Sequence, residues 1–300
     1  MKTKIRELLK KQNAILLAHN YQPPEIQDVA DLCGDSLELS RQASKTSADI
    51  IVFCGVHFMA ETASILSPEK TVLLPNLGAG CPMADMVTAE SLVDKIKELS
   101  VSKNKIPVVT YVNSSAAVKA LSTICCTSAN VIKVVNSLKE QEILMVPDRN
   151  LARYAASKTE KKIYYWQGYC PYHDLLTPEL VDQARQKHPG AIFMAHPECR
   201  TEVLEMADVV ASTSGMLAYA AESRHKTFIV GTEIGLIYPL KKSNPEKQFY
   251  PASLAMECRD MKKISLEDIL KSLETMTPHV KVPEHIRLPA LKAVERMVSL

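Results

Sequence analysis

The sequence predicts an α/β protein of three pseudo-equivalent three-layer αβα domains, with parallel sheets around a central active site. Three observations predict this fold. Short continuous apolar runs alternate with helical patterns, which is typical of parallel strands buried on both faces. Cys81, Cys170 and Cys258 recur 89 and 88 residues apart. Other landmarks recur at nearly the same interval, as expected for one unit repeated three times.

The first element of each unit is an apolar run that ends in a polar turn. These runs cover residues 14–17, 107–110 and 191–194. They lead to His19, Tyr111 and His196, and a hydroxyl residue lies 17 positions beyond each of them, at Ser36, Ser128 and Thr213. Because three matches fall at one offset, the repeat does not depend on the cysteines alone.

The remaining elements follow in the same order. Helical patterns cover residues 36–46, 88–99, 129–138 and 178–187, and a second set of apolar runs covers 51–53, 143–146 and 228–230. Steps of 45, 42 and 45 residues lead from each hydroxyl residue to the cysteine of its unit. Each unit therefore predicts a strand, a loop, a helix opened by a small polar residue, another strand and a second helix.

The repeat also predicts the domain boundaries. We expect αβα domains over residues 1–84, 85–172 and 173–262 of the 300-residue chain, followed by helices over 265–276 and 283–300. Apolar faces on these two helices predict that the last segment, 263–300, packs back on the body. A chain of this length is able to bury a large core.

Composition and charge narrow the function classes. A net charge of +2 without a basic stripe predicts no nucleic-acid partner. No apolar run approaches the roughly 18 residues that a membrane span needs, so we expect no membrane association. The N-terminus alternates basic and apolar residues and enters a strand, which is not the layout of a signal peptide. Eight cysteines in such a chain favour a reducing compartment, and we predict a cytoplasmic protein.

The three equivalent cysteines are predicted to donate their thiolates to one metal centre. Three thiolates without a fourth protein ligand leave one metal position open for substrate. The absence of any CxxC pair argues against structural zinc. Four other cysteines lie in or beside apolar stretches and are interpreted as inert buried thiols; they are Cys33, Cys54, Cys125 and Cys126. The role of Cys199 stays open.

Polar residues at the strand ends predict a pocket for a small anion. Ligands of open parallel sheets bind outside the carboxyl ends of the strands, where His19, Tyr111 and His196 fall. Near helix starts, the hydroxyl residues favour carboxylate or phosphate, although plain helix capping is the alternative interpretation. Glu198, two residues after His196, points to the same side if the chain stays extended, as does Asn113 after Tyr111.

Eight strings of the sequence closely resemble the quinolinate synthase family. They are LAHNYQ at 17–22, GDS at 34–36, CPMA at 81–84, YVNS at 111–114, CTSAN at 126–130, PDRNL at 147–151, HPEC at 196–199 and GTEIG at 231–235. The resemblance covers nearly the whole chain, and the joint occurrence of these strings is highly specific.

The resemblance implies an enzyme of NAD biosynthesis. It implies a transferase-type synthase that condenses iminoaspartate with dihydroxyacetone phosphate to quinolinate, with loss of phosphate and two waters. One [4Fe-4S] cluster per chain is then expected on Cys81, Cys170 and Cys258, with one open iron that acts as a Lewis acid. An aspartate-oxidising enzyme is the expected source of iminoaspartate. Around the last ligand, this chain has MECRDM at 256–261 in place of the CxxCxxC string of some bacterial members.

The resemblance also implies roles for individual side chains. Glu198 and Tyr21 are the expected acid–base residues, assisted by His19 and His196, whose imidazoles are able to hold an oxygen and move protons near neutral pH. The expected substrate-binding residues are His19, Ser36, Tyr111, Val112, Asn113, Ser128, His196, Pro197, Glu198 and Thr213.

Two alternative functions stay open, and several histidines are given no catalytic role. One alternative keeps the cluster but acts as a hydro-lyase on another small hydroxy-carboxylate. The other is an iron–sulfur oxygen sensor, which needs no small-anion pocket. His173 is interpreted as a residue that supports a ligand. The other histidines, His57, His188, His225, His279 and His285, are interpreted as surface or core residues.

Overall fold

The computed structural model describes residues 1–100 and 106–300, and within these ranges the strands form three four-stranded parallel sheets. The first sheet contains β1 (Ala14–His19), β2 (Leu32–Gly34), β3 (Ile50–Cys54) and β4 (Thr71–Leu73). The second contains β5 (Val108–Tyr111), β6 (Ile124–Cys126), β7 (Glu142–Val146) and β8 (Lys162–Tyr165). The third contains β9 (Ile192–Ala195), β10 (Val209–Val210), β11 (Thr227–Gly231) and β12 (Gln248–Pro251).

The three sheets share one topology. Their spatial orders are β2-β1-β3-β4, β6-β5-β7-β8 and β10-β9-β11-β12, so each unit places its first strand between its second and third. All strand pairs within the sheets are parallel, as in the register of Leu16 with Val52. The predicted α/β fold with three equivalent αβα units is therefore confirmed.

Each unit has one helix before its first strand and one helix in each of the three connections between its strands. In the first unit they are α1 (Lys2–Lys11), α2 (Pro24–Gln27), α3 (Ser36–Lys45) and α4 (His57–Leu66). In the second they are α5 (Ala89–Ser100), α6 (Ala116–Ala120), α7 (Val131–Ser137) and α8 (Arg149–Ala156), followed by a short α9 (Pro171–Asp174). The third has α10 (Pro178–Lys187), α11 (Thr201–Met206), α12 (Thr213–Glu222) and α13 (Ile237–Ser243). Helices α14 (Leu266–Thr275) and α15 (Glu284–Ser299) follow.

Two features of each unit differ from the sequence expectation. The segment predicted as a loop contains a short helix and the second strand, and a fourth strand follows the second predicted helix. Both added strands are short, and β10 has only two residues. Three of the four predicted helices inside the units, 36–46, 88–99 and 129–138, shift by one or two residues at their ends, whereas 178–187 keeps its bounds.

A lysine immediately before each fourth strand makes an equivalent hydrogen bond in all three units. Lys70, Lys161 and Lys247 each donate from Nζ to a backbone carbonyl between the second and third strands of their unit, at Ala48 (2.6 Å), Leu138 (2.7 Å) and Ala220 (2.5 Å). The carbonyls left over at a helix end are satisfied in this way. The strands of all three sheets fall inside the three predicted domain segments, and the domain boundaries stay a prediction.

The two C-terminal helices pack against the units that precede them. Helix α14 lies against α1, and α15 lies against α4, α6 and β6, so that it spans the first two units. One face of α15 is fully buried, with Ala290, Ala293, Val294 and Met297. Within the described ranges, no helix combines the length and the apolar character that crossing a membrane requires.

Candidate active site

The three cysteines of the repeat meet at one cavity. Each lies in the loop that follows the fourth strand of its unit, and the equal spacing in the sequence therefore reflects equal places in the fold. Cys81, Cys170 and Cys258 are half-buried and line one cavity. Three separate loops thus bring three thiols to the common carboxyl edge of the sheets, where open parallel sheets bind their ligands.

Backbone amides surround these thiols. The N–H groups of Met83 and Ala84 face the sulfur of Cys81, and those of Asp260 and Met261 face that of Cys258. Burial raises the pKa of the Cys81 thiol to about 12 and that of Cys258 to about 11. The free thiols are therefore neutral at pH 7, and a bound metal has to replace their protons. N–H donors directed at sulfur stabilise the thiolate that results.

A second cavity adjoins the first. The two share a wall that contains Tyr21, Phe58, Asn113, Glu198 and Met261. The second cavity is further lined by His19, Asp35, Ser36, Tyr111, Ser128, His196 and Thr213. Most of the predicted substrate-binding residues are therefore brought together at one place, next to the cysteines.

Two predicted binding residues do not border this space. Val112 and Pro197 are buried, and among the described residues neither lines either cavity. Each lies in the chain between two residues that do. The chain turns at both places, since the N–H of Ser114 donates to the carbonyl of Val112 at 2.8 Å and that of Cys199 donates to the carbonyl of His196 at 2.9 Å.

The first strand of each unit delivers an aromatic or imidazole ring to the second cavity. His19 is the last residue of β1, Tyr111 is the last of β5, and His196 follows β9. Burial lowers the pKa of His19 to about 3 and also lowers that of His196, whereas burial raises the pKa of Tyr111. At neutral pH both imidazoles and the phenol are therefore uncharged.

The three hydroxyl residues line the cavity, but their neighbours take the helix N-cap positions. Asp35 is the N-cap of α3, and its carboxylate accepts N–H groups from Leu37 and Glu38, both at 3.0 Å. Ser212 takes the same position in α12. The plain capping interpretation thus applies to the residues before Ser36 and Thr213. Ser128 lies three residues before α7, so its predicted place at a helix start is wrong by one turn.

Contacts between units hold two of these hydroxyls. The amide of Asn20 in the first unit donates to Thr213 Oγ1 in the third at 3.0 Å. His196 Nε2 in the third unit lies 3.2 Å from Ser128 Oγ in the second. The cavity is therefore an assembly of all three units, and each unit needs its neighbours to complete it.

Glu198 lies at the centre of the site with only 3% of its surface exposed. Its Oε2 is 2.9 Å from His173 Nδ1 and 3.3 Å from His196 Nδ1. Its Oε1 has no hydrogen-bond partner among the described residues. Burial opposes ionisation, but His173 and His196 together hold the pKa of Glu198 well below its ordinary value. The carboxylate is therefore ionised, with one oxygen held and one available.

A chain of hydrogen bonds joins Tyr21 to this carboxylate. Tyr21 OH lies 2.6 Å from Thr232 Oγ1, which lies 2.8 Å from His173 Nε2. If His173 Nδ1–H donates to Glu198, its Nε2 accepts from Thr232, and Thr232 in turn accepts from Tyr21. Burial and the nearby Glu198 charge raise the pKa of Tyr21 well above its ordinary value. The phenol therefore enters this chain as a donor.

Sequence reasoning missed part of this network. His173 is more central than expected, since its Nδ1 also lies 3.1 Å from Cys170 Sγ. Thr232 and Asp148 were not predicted, although both follow the third strand of their unit and occupy equivalent places in the repeat. Asp148 is 2% exposed, and burial and the Glu198 charge raise its pKa. The signal that could have found them is their shared position, two residues after the second apolar run of their unit (143–146 and 228–230).

The remaining cysteines and histidines lie away from the cavities. Cys33, Cys54, Cys125 and Cys126 lie in strands β2, β3 and β6, and the buried Cys199 thiol donates to the carbonyl of Gly231 at 3.4 Å. His188 is half-buried and stacks on Tyr250, with ring centroids 3.5 Å apart. The other four, His57, His225, His279 and His285, are exposed.

The donor set of the first cavity suits a metal centre. Ligand atoms of Cys170, His173 and Glu198 lie within 4.8 Å of one another. Thiols, imidazole and carboxylate together favour a transition metal over magnesium or calcium, which prefer oxygen ligands. The arrangement offers metal ligation, neutral hydrogen-bond donors and one poised carboxylate within two adjoining cavities.

Comparison with known proteins identifies relatives over the full length. A family model described as quinolinate synthetase A protein matches residues 3–299. The quinolinate synthase of Geotalea uraniireducens is 58% identical over 300 residues, which is 100% of this chain and 97% of that protein. The quinolinate synthase of Geobacter metallireducens is 56% identical over 300 residues, with the same coverage. Quinolinate synthase 1 of Methanosarcina acetivorans is 54% identical over 297 residues, covering 99% and 96% of the two chains.

Proposed function

The chain belongs to the quinolinate synthetase A protein family, and we propose that it forms quinolinate for NAD biosynthesis from iminoaspartate and dihydroxyacetone phosphate. Phosphate and two waters are the other products, and the reaction makes the chain a transferase-type synthase. One observation carries this proposal. Three thiols, one from each unit, line a cavity that adjoins a pocket of hydroxyl, imidazole and phenol groups.

The residues of the first cavity fit a [4Fe-4S] cluster. Cys81, Cys170 and Cys258 supply three thiols, and backbone N–H groups face the sulfurs. We infer that these three residues hold one cluster per chain, with one iron lacking a protein ligand. When bound, that open iron supplies a Lewis acid that holds a substrate oxygen and eases its departure.

The second cavity binds the anionic groups of the substrates. Ser36 and Thr213 present their hydroxyls at the first turns of α3 and α12, where the helix dipole favours carboxylate or phosphate. Tyr111 OH and the Asn113 amide add neutral donors that line the same cavity. Because His19 and His196 are uncharged, this pocket orients a dianion by hydrogen bonds and does not rely on fixed cations.

Glu198 and Tyr21 move protons in this pocket. His173 and His196 hold Oε2 of Glu198, so Oε1 is the oxygen left to accept a proton from a substrate carbon. Enolisation and isomerisation of a triose require such a base. The hydroxyl of Tyr21 donates towards the substrate or towards Thr232, through which a proton is shared with His173. Burial of these groups keeps bulk water away from the reacting atoms.

The cellular location and the source of iminoaspartate are inferred from the chemistry of the thiols and of the substrate. All eight cysteines are free thiols, and this state supports a reducing, cytoplasmic location. Iminoaspartate hydrolyses readily in water, so an aspartate-oxidising enzyme is the expected immediate source. The comparisons favour neither the hydro-lyase nor the oxygen sensor.

An anaerobic turnover assay tests the proposal. Purified protein is supplied with iminoaspartate and dihydroxyacetone phosphate, and quinolinate and phosphate are measured. We expect both products in equal amounts. Dehydration of a small hydroxy-carboxylate without quinolinate formation would favour the hydro-lyase instead. A protein that holds iron but turns over neither substrate set would favour the sensor.

A further inference from the structure

A buried ion pair lies behind the Cys258 loop. Glu233 follows β11 and is 1% exposed. Lys262 Nζ lies 2.9 Å from Glu233 Oε1 and 3.1 Å from Oε2, and the lysine side chain is 20% exposed. The mechanism above uses neither residue. Removing one partner of a buried pair is costly because the other charge is left uncompensated, whereas replacing both is often nearly neutral.

This pair contacts two loops that carry proposed functional residues. Glu233 Oε1 accepts the backbone N–H of Cys258 at 3.0 Å. Lys262 Nζ donates to the backbone carbonyl of Tyr21. The third cysteine and the tyrosine therefore share one ionic support, although they lie more than 200 positions apart in the chain.

Gly235 has no side chain and therefore leaves room for the ion pair and the Tyr21 carbonyl. Gly235 donates its N–H to Glu233 Oε2 at 2.7 Å. A Cβ atom at this position would lie 2.6 Å from the carbonyl oxygen of Tyr21, 2.7 Å from Glu233 Oε2 and 2.7 Å from Lys262 Nζ. Real Cβ atoms essentially never approach other atoms so closely. Any side chain at Gly235 has to push apart the same three groups that the ion pair joins.

We propose that the Glu233–Lys262 ion pair is a positioning device that fixes the Cys258 loop and the Tyr21 loop relative to each other. It keeps the third thiol and the tyrosine hydroxyl on the same cavity. Glu233 holds the backbone N–H of Cys258, and Lys262 holds both that carboxylate and the carbonyl of Tyr21. The inference rests on the proposed iron centre in its functional consequence, but the contacts themselves do not require iron.

The first test measures iron retention. Anaerobically prepared protein is mixed with an iron(II) chelator, and the rate of iron loss is followed by absorbance. In Lys262→Met, loss should be about tenfold faster or more, since a buried charged hydrogen bond is broken. The double variant Glu233→Gln/Lys262→Met should lose iron more slowly than Lys262→Met, because no unpaired charge remains. Lys262→Arg keeps the charge and should stay near the parent rate.

A matched control distinguishes the effect of the Glu233–Lys262 pair from that of an exposed lysine–carboxylate pair. Lys242 of the third unit makes an exposed ion pair with Asp28 of the first unit at 2.7 Å. Lys242→Met should lose iron at the parent rate, because exposed pairs contribute little. Parent-like iron loss in Lys262→Met, or a double variant that loses iron at least as fast as the single variant, would overturn the proposal.

The second test uses iron-free protein and therefore does not depend on the proposed cluster. Alkylation of individual cysteines by iodoacetamide is followed by mass spectrometry. Lys262→Met and Gly235→Ala should each accelerate alkylation of Cys258 severalfold and leave that of Cys170 unchanged. Equal acceleration at both cysteines would indicate general loosening and contradict a positioning role. If the parent protein binds no iron at all, the proposed function fails, while this test still decides whether the pair holds the Cys258 loop.

Discussion

The first and third units place the same side chain at the same point and surround it differently. His19 ends β1 and His196 follows β9, and both imidazoles are buried. In each case Nδ1 faces the backbone N–H of the residue two positions later, at 3.2 Å for Tyr21 and 3.4 Å for Glu198. The later residue is a phenol in one unit and a carboxylate in the other. The shared fold thus fixes the position of the histidine, and its second neighbour decides the chemistry.

The second unit extends the comparison. At the equivalent points it carries Tyr111 and Asn113, so it contributes neutral hydrogen-bond donors and no imidazole. Triplication supplied one scaffold with three equivalent edges. Two positions after these rings, the three units carry a phenol, an amide and a carboxylate, at Tyr21, Asn113 and Glu198.

The largest expected effect is on quinolinate formation, and it concerns the cysteine that each of the three units carries. If each contributes one thiol to a common cluster, then Cys81→Ser, Cys170→Ser and Cys258→Ser should each abolish quinolinate formation. Cys33→Ser, in strand β2, is the matched control and should keep parent activity. Product formation in anaerobic assays is the measurement. Substantial activity in any of the first three variants would break the equivalence of the units.

The next largest effect is on kcat, and it concerns Glu198, the carboxylate that distinguishes the third unit. Glu198→Gln nearly preserves size but removes the proton acceptor, and general acid–base catalysis contributes about 10²–10⁴-fold. We expect kcat to fall by about that factor with iron content unchanged. The exposed Glu179→Gln serves as a control. Turnover near the parent rate with full iron content would transfer the role of base to Tyr21 or His196.

A smaller effect is expected at the contact between the second and third units. Ser128→Ala removes one hydroxyl beside His196 and one donor to a charged substrate group, which is worth about 1.5–3 kcal/mol. KM for the anionic substrate should therefore rise by about 10- to 100-fold, with a modest change in kcat. Ser44→Ala, on the exposed side of α3, is the control. A fall in kcat alone, without a change in KM, would contradict a binding role.

The smallest effect appears in stability and tests the burial of the first-unit histidine. Burial, then the neighbouring His196 and Lys262, lowers the pKa of His19 from 6.5 to about 3, so between these values the unfolded chain binds a proton that the folded chain does not. Stability therefore falls as the pH drops below 6.5, by about 1.4 kcal/mol per pH unit for this one group. His19→Gln removes that dependence. Urea unfolding of both iron-free proteins at pH 7.5 and 5.5 should show the parent losing more; equal losses would contradict the burial.

The long apolar strands and the landmark spacing were sufficient to predict the fold. Runs such as 51–53 and 191–194 are continuous because both faces of a parallel strand are buried. The second and fourth strands were missed for a physical reason. Val209–Val210 is too short to show a period, and Gln248–Pro251 is an edge strand with polar character. Tertiary pairing, and not local pattern, makes these segments strands.

The candidate site was predictable where one residue type repeats and not where it relies on a single contact. The three cysteines and three hydroxyl residues recur at fixed offsets, and the structure gathers them at two adjoining cavities. Thr232 and Glu233 act through partners that lie far away in the chain, Tyr21 and Lys262. The repeat marks the position of Thr232 in the chain, but no periodic pattern reveals a partner that lies more than 200 positions before Thr232 or 29 positions after Glu233.

The count of iron and sulfide in anaerobically purified protein tests the central claim most directly, namely that three equivalent loops hold one cluster. The account predicts about four iron and four sulfide per parent chain. In Cys258→Ser, whose thiol comes from the third unit, it predicts that the cluster is absent. A full complement of iron and sulfide in that variant would contradict the account.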